Sequence, residues 1–322
     1  MLKIQTFSVY LQMIMNSELS ILIPVRNDIC VNQVRQLQRQ AEDILGLDYE
    51  VIVMDDGSTD KTSINQNQAI GDIPHCRFIR HERNVGRSAT RNRLAREAGK
   101  KWLLFLDCSL CIPSPHFVAN YLNCDDTDVV CGGTTVETGP THNLRYRYER
   151  HAMHRLTARC RQTNPYHHFR SNNFLIRRQV LLAHPFHEEI RQYGFEDVLL
   201  GKELAESGVS IRHIDNPVVL SQFEPNDLFL SKTEESLRTL HSLEERLYGY
   251  STLLHYAQLL RKAGLGRPMR TLFKLCSKGW RKKLTEEDGS LLLFKLYKLG
   301  YYLSIDSLQP HKTSNQTAPE CC

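Results

Sequence analysis

The sequence predicts an α/β protein with a mostly parallel central sheet flanked by helices and a C-terminal helical appendage. Three observations carry this. Short apolar runs alternate with helical patterns as far as about Phe223. Two of those runs, Glu50-Val51-Ile52-Val53-Met54 and Trp102-Leu103-Leu104-Phe105-Leu106, end abruptly in the carboxylates Asp55, Asp56 and Asp107. Beyond Glu224 the strand-like runs stop and amphipathic helical spacing takes over. Ligands of open α/β sheets bind beyond the carboxyl ends of the strands, so acids there point to a polar ligand, a metal ion, or both.

Taken in order, residues 19–25 form an apolar run stopped near Pro24, the pattern of a buried parallel strand. Helical spacing follows over 31–45 and ends before Gly46. The strand at 50–54 leads into Ser58, Thr59 and Asp60, which offer capping oxygens to a helix start. A third strand is expected at 76–79, a helix at 87–98 closed by Gly99, a fourth strand at 102–106 and a fifth at 128–131 before Gly132-Gly133. Residues 144–161 read as helical and basic, 173–176 as a strand, 196–207 as a helix stopped by Gly208, and 209–214 as a strand. Amphipathic helices are expected over 227–262, 268–278 and 291–303.

The organisation that follows is an N-terminal extension at 1–17, within which Met13 and Met15 offer alternative starts, and an α/β domain at 18–223 in two halves, 18–133 and 134–223. A helical region at 224–303 and a polar, disordered tail at 304–322 complete it. At 322 residues, with 41% hydrophobic and 24% charged residues, the chain can bury one large α/β domain plus an appendage and is globular. The net charge of +5 is mild: it suits anionic ligands without requiring them. The 10 cysteines are irregularly spaced, unlike a disulfide scaffold. Cys108 and Cys111 form a Cys-x-x-Cys pair with no second half-site and read as small apolar residues beside a strand end. Reduced thiols and a cytoplasmic location follow, and no apolar run is long enough to span a bilayer.

Four motifs carry chemistry, each with a plainer reading beside it. Asp55-Asp56-Gly57-Ser58 can accept hydrogen bonds from a base or ribose, or simply build a turn. In Asn84-Val85-Gly86-Arg87-Ser88-Ala89-Thr90-Arg91, a glycine turn opens a helix with two arginines on one face; this is an anion site or an ordinary basic surface. Asp107, followed by Cys108-Ser109, can ligate Mg2+ or Mn2+ on a diphosphate, or cap its turn. Glu196 and Asp197, after Gly194-Phe195, can supply a general base for an acceptor hydroxyl, or only complement a helix dipole.

Their order and spacing as a set are more specific. Pro24-Val25-Arg26-Asn27, Asp55-Asp56-Gly57-Ser58-Thr59-Asp60, the Asn-x-Gly stretch with Ala89-Thr90-Arg91-Asn92, Leu106-Asp107, Ser171-Asn172-Asn173 and Gly194-Phe195-Glu196-Asp197 closely resemble family 2 glycosyltransferases over residues 19–223. The resemblance implies the GT-A fold and inverting transfer from a nucleotide-diphosphate sugar, with UDP as the expected nucleotide, and makes 18–223 the catalytic domain, 18–133 its nucleotide-binding half and 134–223 its acceptor half. The acceptor is then a hydroxyl of a glycan or lipid-linked molecule, and polysaccharide biosynthesis the setting. It places Pro24, Asp56 and Arg91 around the nucleoside, Asp107 at the Mg2+ or Mn2+, Asp197 as base with Glu196 in support, and Asn172 and Asn173 towards the acceptor.

Two positions depart from the family pattern. Ser109 stands where a second metal-binding acid is expected, and Leu220 follows Asn216-Pro217-Val218-Val219 where relatives often carry a histidine. These predict a weakened metal site, with arginines or His213 compensating. They also motivate the alternative, a catalytically degenerate nucleotide-binding or scaffold protein on the same fold. Six arginines lie between Arg145 and Arg161 against the single acid Glu149, suiting phosphate or a solvated helix face. No aromatic stacking motif or recognition helix accompanies them, so nucleic acid is not an expected partner. A zinc site from His151, His154, His167 and His168 lacks a clear ligand set. Lys274, Lys278, Trp280, Arg281, Lys282 and Lys283, followed by the apolar run 291–297, suit an anionic membrane surface at its inner face, or packing on the catalytic domain.

Overall fold

A computed structural model describes residues 18–124, 127–286 and 289–308. The expected extension at 1–17 and the polar end at 309–322 lie outside the described residues. The strands are β1 (Glu18–Val25), β2 (Asp48–Asp55), β3 (Cys76–Arg80), β4 (Trp102–Leu106), β5 (Leu110–Cys111), β6 (Val129–Cys131), β7 (Thr134–Val136), β8 (Asn173–Arg177), β9 (Ile211–His213) and β10 (Val218–Leu220). The helices are α1 (Val31–Glu42), α2 (Lys61–Gln68), α3 (Arg87–Glu97), α4 (Phe117–Leu122), α5 (Leu144–Ala152), α6 (Ala158–Gln162), α7 (Arg178–Ala183) and α8 (Glu196–Glu206). The C-terminal set is α9 (Asn226–Ser242), α10 (Thr252–Lys262), α11 (Gly266–Glu286) and α12 (Leu291–Leu308).

Seven strands form the central sheet in the order β3-β2-β1-β4-β8-β6-β9. The ladders β1–β2, β1–β4, β2–β3 and β6–β9 are parallel, whereas β8 runs antiparallel to both β4 and β6. The sheet is therefore mostly parallel. Because Val25 pairs with Asp55 and Leu22 with Phe105, β1, β2 and β4 end together at one edge.

Alternation explains the unbroken apolar runs. Ile21, Ile23, Val51, Val53 and Leu104 face one layer, packed with Val34 and Leu37 of α1. Leu22, Ile52, Met54, Leu103 and Phe105 face the other, packed with Leu94 of α3 and Leu200 of α8. Both faces are covered, so neither parity can be polar. Full burial of each such side chain stabilises by about 1.5–3 kcal/mol, an upper figure because the unfolded chain is itself partly collapsed. Ser20 is the polar exception inside β1; its hydroxyl donates to Glu50 Oε1 at 2.7 Å and accepts from the Lys100 N–H at 3.2 Å.

Several elements differ from the sequence reading. A small sheet, β5-β10-β7, was not legible, because its strands are only two or three residues long. The expected helix over 227–262 is two, α9 and α10, separated by a turn with Gly249 at φ +79° and restarted by Ser251, whose side chain caps Leu254 N–H. In contrast, α11 runs through Gly279 to Glu286, and α12 runs past 303 to Leu308 with Ile305 buried. The basic stretch 144–161 is not one helix but α5, a 3-10 turn (Met153–Arg155) and α6.

The C-terminal helices have their own core, in which Leu240, Leu254, Ala257 and Tyr302 are essentially inaccessible. This core extends without a break to Val198 and Leu199 of α8, so the appendage packs directly behind that acidic helix of the α/β domain.

Candidate active site

The loop after β2 is built on a glycine. Gly57 has φ +63°, and a Cβ there would collide with the backbone of Arg83 and Asn84. That close approach lets Asp56, 6% exposed, accept from the Val85 N–H at 2.7 Å and the Gly86 N–H at 3.2 Å. A fixed carboxylate thus already complements the positive start of α3. Asp55 serves the loop: its Oδ1 accepts from the Ser58 N–H at 2.9 Å and its Oδ2 pairs with Arg80 at 2.8 Å. Pro24 is half-buried at the end of β1, beside Asn27, whose side chain accepts from Thr59 and Asp60 N–H groups.

Arg91 joins the two halves of the sheet edge. It is 1% exposed, and its guanidinium reaches Asp107 Oδ1 at 3.0 Å and Glu196 Oε1 at 3.3 Å, over the ring of Phe186 at 5.4 Å. Its Nε has no hydrogen-bond partner. Arg87 and Arg91, which the sequence reads together as an anion site or an ordinary basic surface, are placed differently. Arg91 is neutralised by two acids inside the protein, whereas Arg87 is exposed and lies over the Tyr193 ring at 5.1 Å.

Glu196 and Asp197 open α8 from a strained turn. Gly194 has φ +96°, and Phe195 stands at φ +68° as the N-cap residue, a conformation that costs a non-glycine residue about 1–3 kcal/mol. The turn is held from the appendage: Tyr193 N–H donates to Glu235 Oε1 at 3.0 Å, and Thr239 Oγ1 donates to Tyr193 O at 3.1 Å, both from α9. Asp197 Oδ1 accepts from its neighbour's Val198 N–H at 2.8 Å, and Oδ2 lies 4.0 Å from Arg170 Nε. Burial pushes the Asp197 carboxyl above the ordinary aspartate value, and the charge of Glu196 adds to this, while Arg170, the Val198 N–H and Arg91 oppose it.

Asp56, Asp107 and Asp197 are thus connected by contacts: Asp56 fixes the start of α3, Arg91 of α3 holds Asp107 and Glu196, and Asp197 adjoins Glu196. Arg170, Phe186 and Tyr193 were missed in the sequence. Arg170 precedes the Ser-Asn-Asn stretch and could have been found there; nothing local marks the other two. Asn172 donates to Thr134 Oγ1 at 2.9 Å. Asn173 is fully buried, donating to Gly133 O and Asn216 O and accepting from Tyr121 Oη, so its role is to tie the sheets together.

The residues present suit a divalent ion only in part. Asp107 is 26% exposed with one oxygen on Arg91, and Ser109 is exposed beside it. Among the described residues no group of three or more His, Cys, Asp or Glu could hold a metal. One carboxylate still fits Mg2+ or Mn2+ that arrives with phosphates and keeps its waters. Leu220 is 5% exposed in the core, and His213 does not compensate for it. Its Nδ1 accepts from Arg161 at 3.1 Å, its Nε2 donates to Pro165 O at 2.9 Å, and burial drives its pKa down to about 4. Arg161 itself is 6% exposed and donates to Gly132 O and Ile214 O; Arg145 pairs with Glu224, and Arg147 donates to Gly289 O. Part of the basic run is thus internal structure.

This fold, with acids and an arginine bridge at the carboxyl edge of a mostly parallel sheet, defines a glycosyltransferase of the GT-A type. Residues 20–184 match the model of glycosyl transferase family 2, and the chain belongs to that family. Among solved structures, a mannosyltransferase from Pyrobaculum calidifontis, in complex with GDP-Man and Mn2+, superposes with TM-score 0.54 at 14% identity, covering 93% of this chain and 92% of that one. Glucosyl-3-phosphoglycerate synthase from Mycobacterium tuberculosis, in complex with Mn2+, UDP and glucosyl-3-phosphoglycerate, gives TM-score 0.48 at 19% identity, covering 74% and 82%. No curated protein matches the chain at a significant level. Among the described residues no helix is long and apolar enough to cross a membrane.

Proposed function

We propose that this chain is an inverting glycosyltransferase that moves a sugar from a nucleotide-diphosphate donor, a UDP-sugar, to a hydroxyl of a glycan or lipid-linked acceptor. The observation that carries the reading is the Arg91 bridge, which fixes the diphosphate-side acid Asp107 beside the Glu196-Asp197 pair. Pro24 and the free lone pairs of Asp56 face the nucleoside, and Arg91 orders that side through its two acids. Asp197 takes the acceptor proton as the acceptor oxygen bonds to the anomeric carbon. The bond from that carbon to the diphosphate breaks, and the nucleotide leaves with the electron pair. Glu196 keeps Arg91 in place. Asp107 would hold Mg2+ or Mn2+, which when bound neutralises charge on the leaving diphosphate; exposed Arg87 supplies further positive charge. Residues 18–133 then form the donor half and 134–223 the acceptor half, with 224–308 bracing the acidic turn.

A donor panel tests this. UDP, UDP-sugars and GDP-mannose are each titrated with and without Mn2+, and thermal unfolding is followed. At a hundredfold excess over Kd the correct nucleotide raises Tm by about 5–10 °C. No shift with any nucleotide sinks the reading. A shift with neither donor hydrolysis nor transfer to any acceptor offered supports the degenerate alternative that Ser109 and Leu220 motivate.

A cytoplasmic site at the inner membrane face is part of the proposal. On α11, Leu272 and Leu275 are 46% and 80% exposed, and Lys274, Lys278 and Lys282 are exposed around them. Apolar side chains ringed by cations suit an anionic bilayer. The chain is expected to sediment with phosphatidylglycerol vesicles and not with phosphatidylcholine ones. Equal behaviour towards both removes the membrane from the proposal.

A further inference from the structure

A cavity of about 680 Å3 opens between the acceptor half and the C-terminal helices. Phe195, Val198 and Arg170 line it, the first two flanking the acids of α8 and the third being the ion partner of Asp197. It therefore adjoins the reacting end of the site. One wall is aromatic: Tyr148, Phe229 and Phe294 contact one another with ring centroids 5.5–6.4 Å apart. Opposed to this is charge. Arg170, Lys232 and Lys298 line the cavity against the single carboxylate Glu149.

These cations are not equivalent. Lys232 is held by Glu224 at 3.4 Å, and Arg170 lies 4.0 Å from Asp197. Lys298 Nζ lies 4.7 Å from the centroids of both the Tyr148 and Phe294 rings, and among the described residues no carboxylate reaches it at ion-pair distance. An ammonium held on two aromatic faces at the wall of a cavity, with Glu149 acting on it only from beyond ion-pair distance, is poised for an anion from outside.

We infer that this cavity binds the acceptor, and that the acceptor is an anionic saccharide: a sugar face rests on Tyr148 and Phe229, backed by the buried Phe294, while a phosphate or carboxylate group is held by Lys298, with its hydroxyl presented to Asp197. The inference rests on the glycosyl-transfer reading and on Asp197 as base, and it adds the chemical class of the acceptor. A stacked ring gives orientation, and a charge-assisted contact gives selectivity against neutral sugars.

The test uses the full chain with the donor site filled by UDP, so that sugar phosphates cannot enter there. Glucose 1-phosphate, methyl glucuronide, methyl glucoside and inorganic phosphate are titrated calorimetrically. At least one anionic sugar is expected to bind more tightly than methyl glucoside and inorganic phosphate, and whichever anion binds identifies phosphate or carboxylate as the recognised group. Lys298→Met is expected to weaken that binding about tenfold, and Lys298→Arg to keep most of it. Should Lys298→Met not fold, the parent protein still decides: added salt weakens the anionic sugar and not the neutral one. Equal binding of methyl glucoside, or full binding by Lys298→Met, overturns the inference. Inorganic phosphate binding as tightly as the sugar phosphate also overturns it, since the aromatic wall then contributes nothing. Absence of UDP binding is a separate failure, that of the donor reading.

Discussion

Replacing Asp197 with Asn is expected to cut sugar transfer by about 10²–10⁴-fold, the usual contribution of a positioned general base, while nucleotide binding stays near that of the parent. The same change is expected to raise stability at neutral pH. Both follow from one property. Burial, reinforced by the charge of Glu196, lifts the Asp197 carboxyl above its ordinary value of 3.8, so the protonated form is favoured more in the folded protein than in the unfolded chain. The sign is that of an acid whose folded pKa is raised. Its stabilising contribution is complete below the unfolded pKa and is lost as pH rises through the folded one. At neutral pH the parent therefore carries a poorly solvated charge, which the amide removes. The amide oxygen can still accept from the Val198 N–H, so the helix start survives. Denaturant unfolding at several pH values should show the variant's advantage shrinking as pH falls. In the parent, transfer should fall on the acid side at a pH above that of a free aspartate. Equal loss of transfer and donor binding, or a destabilised variant at neutral pH, would remove Asp197 from the role of base.

The sheet and its acidic edge were legible because buried parallel strands write continuous apolar runs, and because Asp56, Asp107 and Glu196-Asp197 each follow a clear change of pattern. The commitments of their side chains were not legible. Nothing in the sequence says that Arg91 turns inward while Arg87, four residues earlier on the same helix, stays exposed; that depends on acids at positions 107 and 196 arriving from other elements. His213 looked available as a ligand, yet Arg161 and the Pro165 carbonyl occupy both ring nitrogens, 52 and 48 residues away in sequence. The break between α9 and α10 was hidden because Leu243 and Leu247 continue a helical spacing, although residues 243–250 are a run of turns with Gly249 at positive φ. Contacts distant along the chain decide each of these cases, and periodicity reports only local order.

Arg91→Met should be the most destabilising substitution at this edge. The methionine fills much of the space beside Phe186 but leaves Asp107 and Glu196 without the cation that bonds them both, with only Arg87 acting on their charges at longer range. Breaking a buried pair from one side costs about 3–5 kcal/mol, because the remaining charge is unsolvated. In a chain of this size that corresponds to a fall in Tm on the order of 10 °C. Arg91→Lys should lie between, since one ammonium cannot match two acids from both ends of a planar guanidinium. The two acids are predicted to differ in how they rescue. Glu196 is 8% exposed in its side chain and Asp107 26%, so water can take over the charge of Asp107 far better than that of Glu196. In the Arg91→Met background, Glu196→Gln should therefore restore more stability than Asp107→Asn. In the parent each acid substitution alone should destabilise, because Arg91 already has an unpaired Nε and depends on both charges. A double-mutant cycle in which Arg91→Met and Glu196→Gln simply add would mean that the two side chains are not coupled. The bridge would then not be what aligns the two halves of the site, and the placement of Glu196 near Asp107 would need another cause.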